Sequence, residues 1–196
     1  MFTESLYVET RSEKVAMYLP PLADGQEWIG IIIAIPEPWV THLTELRRSL
    51  GDEQANRVPA HITLLPPTAV NTRDREALIH HLSTIAQRHQ AFTVTLRGSD
   101  SFRPVSPVAF VKVDGGAQEC TELAEDIRSG ILDIDLRFPY HPHVTLAHGL
   151  DDASLDAALD ATTDFEASWK VPGFRLDRVD ASGHYSSMAL FDFEVN

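Results

Sequence analysis

The same four-residue pattern, a histidine and a threonine that alternate with apolar residues, occurs twice in the chain. The two copies are His61-Ile62-Thr63-Leu64 and His143-Val144-Thr145-Leu146. Side chains alternate between the two faces of a β-strand, so the histidine and the threonine of each copy point to the same face. The apolar residues point to the other face. Each copy therefore predicts a strand with one face in a hydrophobic core and one polar face directed at a ligand or at solvent.

The surroundings of the two copies repeat as well. In each case an apolar strand and a helix precede the His/Thr strand, and a second helix follows it. The spacing is similar, because 28 positions separate Ile33 from His61 and 32 positions separate Val111 from His143. An internal duplication of this kind predicts two equivalent His/Thr strands around a pseudo-twofold axis, with both histidines facing one cleft.

This pattern predicts an α+β fold with two lobes, in which two mostly antiparallel sheets flanked by helices line a central cleft. The lobes are expected at about residues 28–103 and 104–196, as parts of a single domain. Residues 1–27 fall outside the repeat and are expected to form an N-terminal extension. The predicted strands are 28–35, 59–65, 91–97, 107–113, 140–147, 165–171, 174–181 and 188–195, and the predicted helices are 39–50, 72–89, 117–129 and one that starts near 151.

The charge of the chain argues against a general nucleic-acid-binding protein. The net charge is −13 over 196 residues, whereas such proteins present a broad basic surface. The first 103 residues carry 10 basic and 12 acidic side chains, so a polyanionic ligand would have to rely on the arginines there. These are Arg47, Arg48, Arg57, Arg73, Arg75, Arg97 and Arg103, and scattered solubilising charges are the more common explanation for most of them.

The longest apolar run, 28–35, is too short to span a bilayer, and charged residues interrupt the first 19 positions. We therefore expect a cytoplasmic protein without a membrane partner. Cys120 is the only cysteine, which excludes an internal disulfide. It shares a helical face with Leu123, Ala124, Ile127 and Ile131, so it is predicted to be an unreactive core thiol.

Two imidazoles that face one cleft can transfer protons on opposite sides of a phosphorus atom. A neutral imidazole accepts a proton near neutral pH, and an imidazolium donates one. The hydroxyl group of the adjacent threonine can donate to a non-bridging phosphate oxygen. We therefore predict that His61 and His143 are catalytic and that Thr63 and Thr145 bind phosphate, without a metal or another cofactor.

The motifs resemble those of the 2H phosphoesterase superfamily, and specifically its 2′-5′ RNA ligase-like branch. The matching segments are 58–67 (VPAHITLLPP) and 142–147 (PHVTLA), and the resemblance extends over roughly residues 28–195. It implies a bilobal fold and a cyclic phosphodiesterase or RNA ligase-like activity on 2′,3′-cyclic or 2′-5′ phosphates. The implied partner is a small cyclic nucleotide or an RNA end, and a monomer is slightly favoured because two lobes already complete the site.

Two other functions remain open at this stage. His141, His143 and His148 lie close together in sequence and could bind a metal in a metal-dependent hydrolase. A non-catalytic module that binds RNA ends or nucleotides is the other alternative. Tyr140 and His148 are predicted at the rim of the cleft. Candidates for stacking on a base are Phe102, Phe138, Tyr140 and Tyr185, of which Tyr140 is preferred.

Overall fold

The computed structural model describes residues 19–136 and 138–194. Within these residues the chain forms eight β-strands and four α-helices, together with short 3₁₀ turns at Glu53–Asn56 and Thr72–Asp74. The elements in chain order are β1 (Gln26–Ala34), α1 (Trp39–Ser49), β2 (His61–Asn71), α2 (Arg75–Ala86), β3 (Phe92–Ser101), β4 (Val108–Gly115), α3 (Ala117–Arg128), β5 (His143–His148), α4 (Asp152–Ala161), β6 (Glu166–Val171), β7 (Gly173–Val179) and β8 (Tyr185–Asp192).

The strands form one sheet in the order β6-β3-β4-β5-β2-β1-β7-β8, and all neighbouring strands are antiparallel. The order reads the same from both edges when β1 is equated with β4 and β2 with β5. The repeated units are therefore β1-α1-β2-α2 and β4-α3-β5-α4, as the sequence pattern predicts. The α+β class and the pseudo-twofold arrangement are confirmed.

The connection between the halves of the sheet differs from the expected pair of separate sheets. The motif strands β2 and β5 meet at a single residue pair, Ile62 with Val144, which joins the two sets of four strands into one sheet. The two sets of four strands also do not correspond to the first and second halves of the chain. Strand β3 pairs with β4 and β6, and β7 pairs with β1, so a boundary near residue 103 does not separate them.

The main hydrophobic core lies between one face of the sheet and the four helices. Each helix contributes a leucine without solvent exposure, and these are Leu43, Leu82, Leu123 and Leu155. In β1, Ile29, Ile31 and Ile33 point into this core, whereas Ile32 belongs to a small cluster on the other face. Full burial of such a side chain contributes about 1.5–3 kcal/mol. The packed helices therefore hold one face of the sheet and leave the opposite face to carry polar groups.

Cys120 is buried on the core face of α3 with Leu123, Ala124 and Ile127, which confirms it as a core thiol. Burial raises the pKa of the Cys120 thiol to about 12, so the thiol stays protonated and unreactive. Ile131 lies beyond the end of α3 and is exposed instead.

Several boundaries differ from the sequence prediction for local reasons. Strand β2 continues past Pro66-Pro67 to Asn71, because the two prolines fall between the pairs Ile31 with Leu65 and Ile29 with Thr68, where the register shifts. A bulge tolerates residues that lack an N–H group. The expected helix 72–89 shortens to α2, and the strand predicted from Tyr140 starts at His143.

Residues 1–18 of the predicted N-terminal extension lie outside the described residues, and its last two residues belong to β1. In the described part of the chain, every helix is too short or too polar to cross a bilayer.

Candidate active site

The pairing of β2 with β5 brings the two motifs together. Ile62 pairs with Val144, and both side chains are fully buried in the main core. In an antiparallel ladder, the residues that flank such a pair oppose each other crosswise and point to the other face. The four polar side chains of the motifs therefore share the face opposite the core, with His61 across from Thr145 and Thr63 across from His143.

The two histidines occupy one diagonal of this four-residue group. In a regular ladder, diagonal neighbours are about 7–8 Å apart. Such a gap can hold one tetrahedral phosphate between the rings, with a threonine hydroxyl on each side. Both histidines are only partly exposed. The sequence-predicted residues His61, Thr63, His143 and Thr145 are thus the ones that the fold places side by side.

Each histidine ring is fixed by the same local hydrogen bond. Nδ1 of His61 donates to the carbonyl oxygen of Pro59 at 2.8 Å, and Nδ1 of His143 donates to that of His141 at 2.7 Å. A carbonyl oxygen can only accept, so Nδ1 carries the proton in both rings. In the neutral form, Nε2 is then the free nitrogen, which can accept a proton from a ligand.

Both rings favour the neutral form. Burial is the main cause that lowers the pKa of His61 to about 4, and the charges of Arg47 and Arg175 lower it further. Burial also lowers the pKa of His143, with smaller contributions from His141 and His148. The hydrogen bonds to the backbone oppose these shifts in both rings. The free site therefore contains two neutral imidazoles near pH 7.

Different aromatic side chains support the two rings. Tyr185 lies against His61, with ring centroids 5.6 Å apart. The Tyr185 ring fits there because Gly30 has no side chain, since a Cβ atom at Gly30 would lie 2.8 Å from Cε1 of the tyrosine. On the other side, Phe102 stands edge-on to His143 at a centroid distance of 5.0 Å, and Phe110 lies 5.1 Å from the same ring.

An open groove of about 610 Å³ runs from the four-residue group toward the β3–β4 connection and the segment that leads into β5. Its lining is mainly apolar and consists of Thr63, Leu64, Pro66, Phe102, Val105, Ser106, Leu136, Phe138, Pro139, Tyr140, His141 and His143. A groove that joins an apolar wall to Thr63 and His143 of the four-residue group suits a ligand with a flat, uncharged group next to a phosphate.

A model of the 2′-5′ RNA ligase superfamily matches residues 35–182, which is more than half of the chain. The chain belongs to this superfamily. A Bacillus cereus (strain B4264) protein named "Putative phosphoesterase" is 32% identical over 125 residues, which cover 64% of this chain and 72% of that protein. A protein with the same designation from Bacillus thuringiensis (strain Al Hakam) matches with the same identity and coverage.

Solved structures support the fold of this superfamily member. A protein of Thermus thermophilus superposes with a TM-score of 0.63 at 22% identity, covering 85% of this chain and 97% of that one. Escherichia coli LigT in its apo form gives 0.60 at 20% identity, covering 87% and 99%. Another LigT structure, in complex with 3′-AMP, gives 0.58 at 22% identity, covering 86% and 98%.

Tyr140 lines the groove of this superfamily member, and its hydroxyl group has a specific partner. The phenol donates to the backbone carbonyl oxygen of Thr63 at 2.9 Å. Burial raises the pKa of Tyr140, so the phenol remains a donor. Tyr140 therefore ties the segment before the second motif to the first motif. Of the other stacking candidates, Phe102 and Phe138 line the groove, whereas Tyr185 is buried beside His61.

The three histidines of the metal alternative are not arranged as a ligand set. The rings of His141 and His143 are neighbours, with centroids 6.3 Å apart. His148 is absent from the groove lining, and its charged neighbours are Asp52 and Arg47. Among residues 19–136 and 138–194, no three His, Cys, Asp or Glu side chains are grouped to hold a metal ion.

Most of the arginines of the first half are occupied by carboxylates. Arg47 and Asp52 form a buried ion pair at 2.9 Å, in which the side chains are 4% and 3% exposed. Arg75 contacts Glu27, Arg97 contacts Asp114 and Glu166, and Arg103 contacts Asp152 and Asp156. The predicted reliance of a polyanion on these arginines therefore has little support, because carboxylates already compensate their charges.

Sequence reasoning missed three residues of β1 and β7 on the face of the sheet that carries His61, namely Gly30, Arg175 and Asp177. An isolated glycine in an apolar strand indicates a close approach of another group, so Gly30 carried a usable signal. Arg175 and Asp177 stand in an ordinary alternating strand without a motif. Only the register of the sheet brings them to the face that carries His61.

Proposed function

We propose that this protein is a metal-independent phosphodiesterase that hydrolyses 2′,3′-cyclic phosphodiesters of nucleotides or RNA ends. The observation that carries the proposal is the pair of imidazoles on one face of the sheet, in each of which Nδ1 donates to the backbone and Nε2 is the nitrogen that can accept a proton. General acid–base catalysis needs one group to accept a proton and one to donate it on opposite sides of the phosphorus. The family assignment favours the same chemistry.

In the proposed reaction, one imidazole accepts a proton from a water molecule as the water oxygen bonds to phosphorus. The bond from phosphorus to one ribose oxygen breaks, and the second histidine, protonated in the complex, donates its proton to that oxygen. The product is a 2′- or 3′-phosphate. With an RNA 5′-hydroxyl group in place of water as the nucleophile, the same two groups support 2′-5′ ligation.

Binding of the anionic substrate supplies the protonated histidine. Both rings are neutral in the free site, because burial lowers their pKa values. A negatively charged phosphate between the rings stabilises an imidazolium and raises these pKa values. Thr63 and Thr145 donate hydroxyl hydrogen bonds to the non-bridging oxygens, where negative charge develops.

A small substrate fits the surface better than a long RNA strand. The net charge is −13, and the ion pairs of Arg47, Arg75, Arg97 and Arg103 leave few cations for successive phosphates. Affinity for long nucleic acids depends on such phosphate contacts. The groove can instead take a single base beside the reacting phosphate.

The test is hydrolysis of the four nucleoside 2′,3′-cyclic phosphates, with products separated as 2′- or 3′-monophosphates. We expect H61A and H143A each to lower kcat by at least about 10²-fold, because each removes a proton-transfer group. T63V and T145V should cost on the order of tenfold. H80A is the matched control, because His80 is an exposed histidine on α2, and it should retain full activity.

Two outcomes would contradict the proposal. Activity that disappears after dialysis against EDTA and returns with zinc or manganese would show a metal-dependent hydrolase. Tight binding of 3′-AMP by the wild type without turnover of any cyclic nucleotide would show a binding module. Retention of activity after dialysis is the expected result.

A further inference from the structure

Arg175 lies on the same face of the sheet as the catalytic group. Residues that pair in an antiparallel ladder point to the same face, and Ile32 of β1 pairs with Thr63 on one side and with Arg175 on the other. Thr63, Ile32 and Arg175 therefore form a row across β2, β1 and β7. Neighbouring strands are about 4.8 Å apart, so β7 is about 10 Å from the motif strand β2.

A buried carboxylate orients Arg175. Nε of Arg175 lies 2.8 Å from Oδ1 of Asp177 and 3.1 Å from Oδ2. The side chain of Asp177 is 0% exposed, whereas that of Arg175 is 26% exposed. A carboxylate without solvent contact requires a cation beside it. Asp177 thus binds Nε of Arg175 and fixes the orientation of the guanidinium group.

The outer part of the guanidinium group is free to bind a ligand. In the described part of the chain, Nη1 and Nη2 of Arg175 have no hydrogen-bond partner. Arg97 and Arg103, by contrast, each direct both terminal nitrogens at carboxylates. Arg47 directs one terminal nitrogen at the carboxylate of Asp52 and donates from the other to the carbonyl oxygen of Val58. Two free terminal nitrogens on a fixed guanidinium group are a typical phosphate-binding arrangement.

We propose that Arg175 binds a second phosphate group of the substrate, and that the preferred substrates are cyclic phosphodiesters that carry a further phosphate. This inference rests on the proposed function. The reacting phosphate lies between β2 and β5, and the apolar groove extends from there along the segment before β5. Arg175 lies on the opposite side, beyond β1. A nucleotide with phosphates on both sides of its ribose can span this distance.

The electrostatics of the site agree with this placement. The charge of Arg175 is among the causes that lower the pKa of His61, so the guanidinium group lies close enough to act on a ligand at that ring.

The experiment compares two substrates that differ in one group, adenosine 2′,3′-cyclic phosphate with and without a 5′-phosphate. We expect the wild type to hydrolyse the 5′-phosphorylated substrate with a kcat/KM at least about tenfold higher, because a charge-assisted hydrogen bond is gained. R175A should abolish this preference, because the loss of a charge that acts on His61 affects both substrates alike, whereas the loss of the second phosphate contact affects only the 5′-phosphorylated one. The ratio of the two kcat/KM values is therefore the quantity to compare. R178A is the matched control, because Arg178 is an exposed arginine three residues further along β7 and therefore on the other face.

R175A leaves Asp177 buried without its cation, so it could fail to fold. The double variant R175Q/D177N removes both charges together, so that no buried charge is left without a partner, and it should also lose the preference. A wild type without any preference, or a preference that survives in R175Q/D177N, would show that Arg175 and Asp177 form only a structural ion pair.

Binding measurements keep this test separate from the proposed function. If the wild type hydrolyses neither substrate, the proposed function fails, and calorimetry with 3′-AMP and adenosine 3′,5′-bisphosphate still tests Arg175. Tighter binding of the bisphosphate by the wild type and R178A, but not by R175Q/D177N, would support the second phosphate site. Equal affinities in the wild type would overturn it.

Discussion

Protonation of His61 should destabilise the folded protein at mildly acidic pH. The folded state holds this ring with a pKa of about 4, mainly because the ring is buried. In an unfolded chain a histidine has its ordinary pKa near 6.5. The folded state therefore binds fewer protons than the unfolded state between these two values, and stability falls as the pH falls through this window.

The magnitude follows from the difference between the two pKa values. A difference of about 2.5 units corresponds to at most about 3.4 kcal/mol. Between pH 7 and pH 4.5, where most of the window has been crossed, the loss from His61 should be about 2.5 kcal/mol. Water that reaches the partly exposed ring makes this figure an upper bound. Below about pH 3, where the ring is protonated in both states, no further loss arises from it.

Urea unfolding of the wild type and H61Q at pH 7 and pH 4.5, in buffers without phosphate, measures this contribution. Many carboxylates also titrate in this range, so the informative quantity is the difference between the pH dependences of the two proteins. H61Q should lose up to about 2.5 kcal/mol less than the wild type on acidification. H80Q, which removes an exposed imidazole on α2, should behave as the wild type does. Equal pH dependence in the wild type and H61Q would refute the argument that burial keeps His61 neutral.

Two further predictions concern the links between the motifs and the roles of the histidines. Y140F removes the hydrogen bond to the Thr63 carbonyl oxygen, so the free energy of unfolding should fall by about 1 kcal/mol in urea titrations, and kcat/KM for cyclic nucleotides should fall with it. An unchanged kcat/KM would mean that this bond does not position Thr63. A nucleoside 3′-(4-nitrophenyl phosphate) has a leaving group that needs no proton, so H143A should hydrolyse it much better than it hydrolyses cyclic nucleotides. H61A should stay inactive on this substrate, because it lacks the base. The opposite result would mean that His143 is the base and His61 the acid.

The repeated parts of the fold were predictable from the sequence because they follow local periodicity. Strand and helix patterns around the two motifs gave the order of the elements, and the core face of α3 was visible as Cys120, Leu123, Ala124 and Ile127. The fusion of the two sheets through Ile62 and Val144 was not predictable, because strand pairing is a long-range property that leaves no trace in local spacing. The exchange of β3 and β7 between the halves has the same cause.

The candidate site likewise has parts that the local sequence predicts and parts that depend on long-range packing. His61 and His143 carry a motif and could be found from it, whereas the roles of the catalytic residues remain predictions until activity is measured. The groove walls come from irregular segments such as 102–106 and 136–141, whose paths depend on what they pack against. His148 lies on the same strand as His143, so the sequence placed both near the cleft. Its charged neighbours are Asp52 and Arg47, which come from α1 and the turn after it, and this long-range contact could not be read from the sequence.

The duplication makes the two histidines equivalent in the backbone but not in their charged surroundings. Both have the same hydrogen bond from Nδ1 to the residue two positions earlier, which is a consequence of the repeated strand. The largest charge contributions that lower the pKa of His61 come from the guanidinium groups of Arg47 and Arg175, which remain positive at any physiological pH, and His143 adds a smaller one. Those that act on His143 come from the imidazoles of His141 and His148 and not from a guanidinium group. Protonation is therefore opposed by permanent charges only at His61. We expect His61 to be the base that accepts the proton of the nucleophile, and His143 to be the ring that becomes protonated when phosphate binds and then donates to the leaving oxygen.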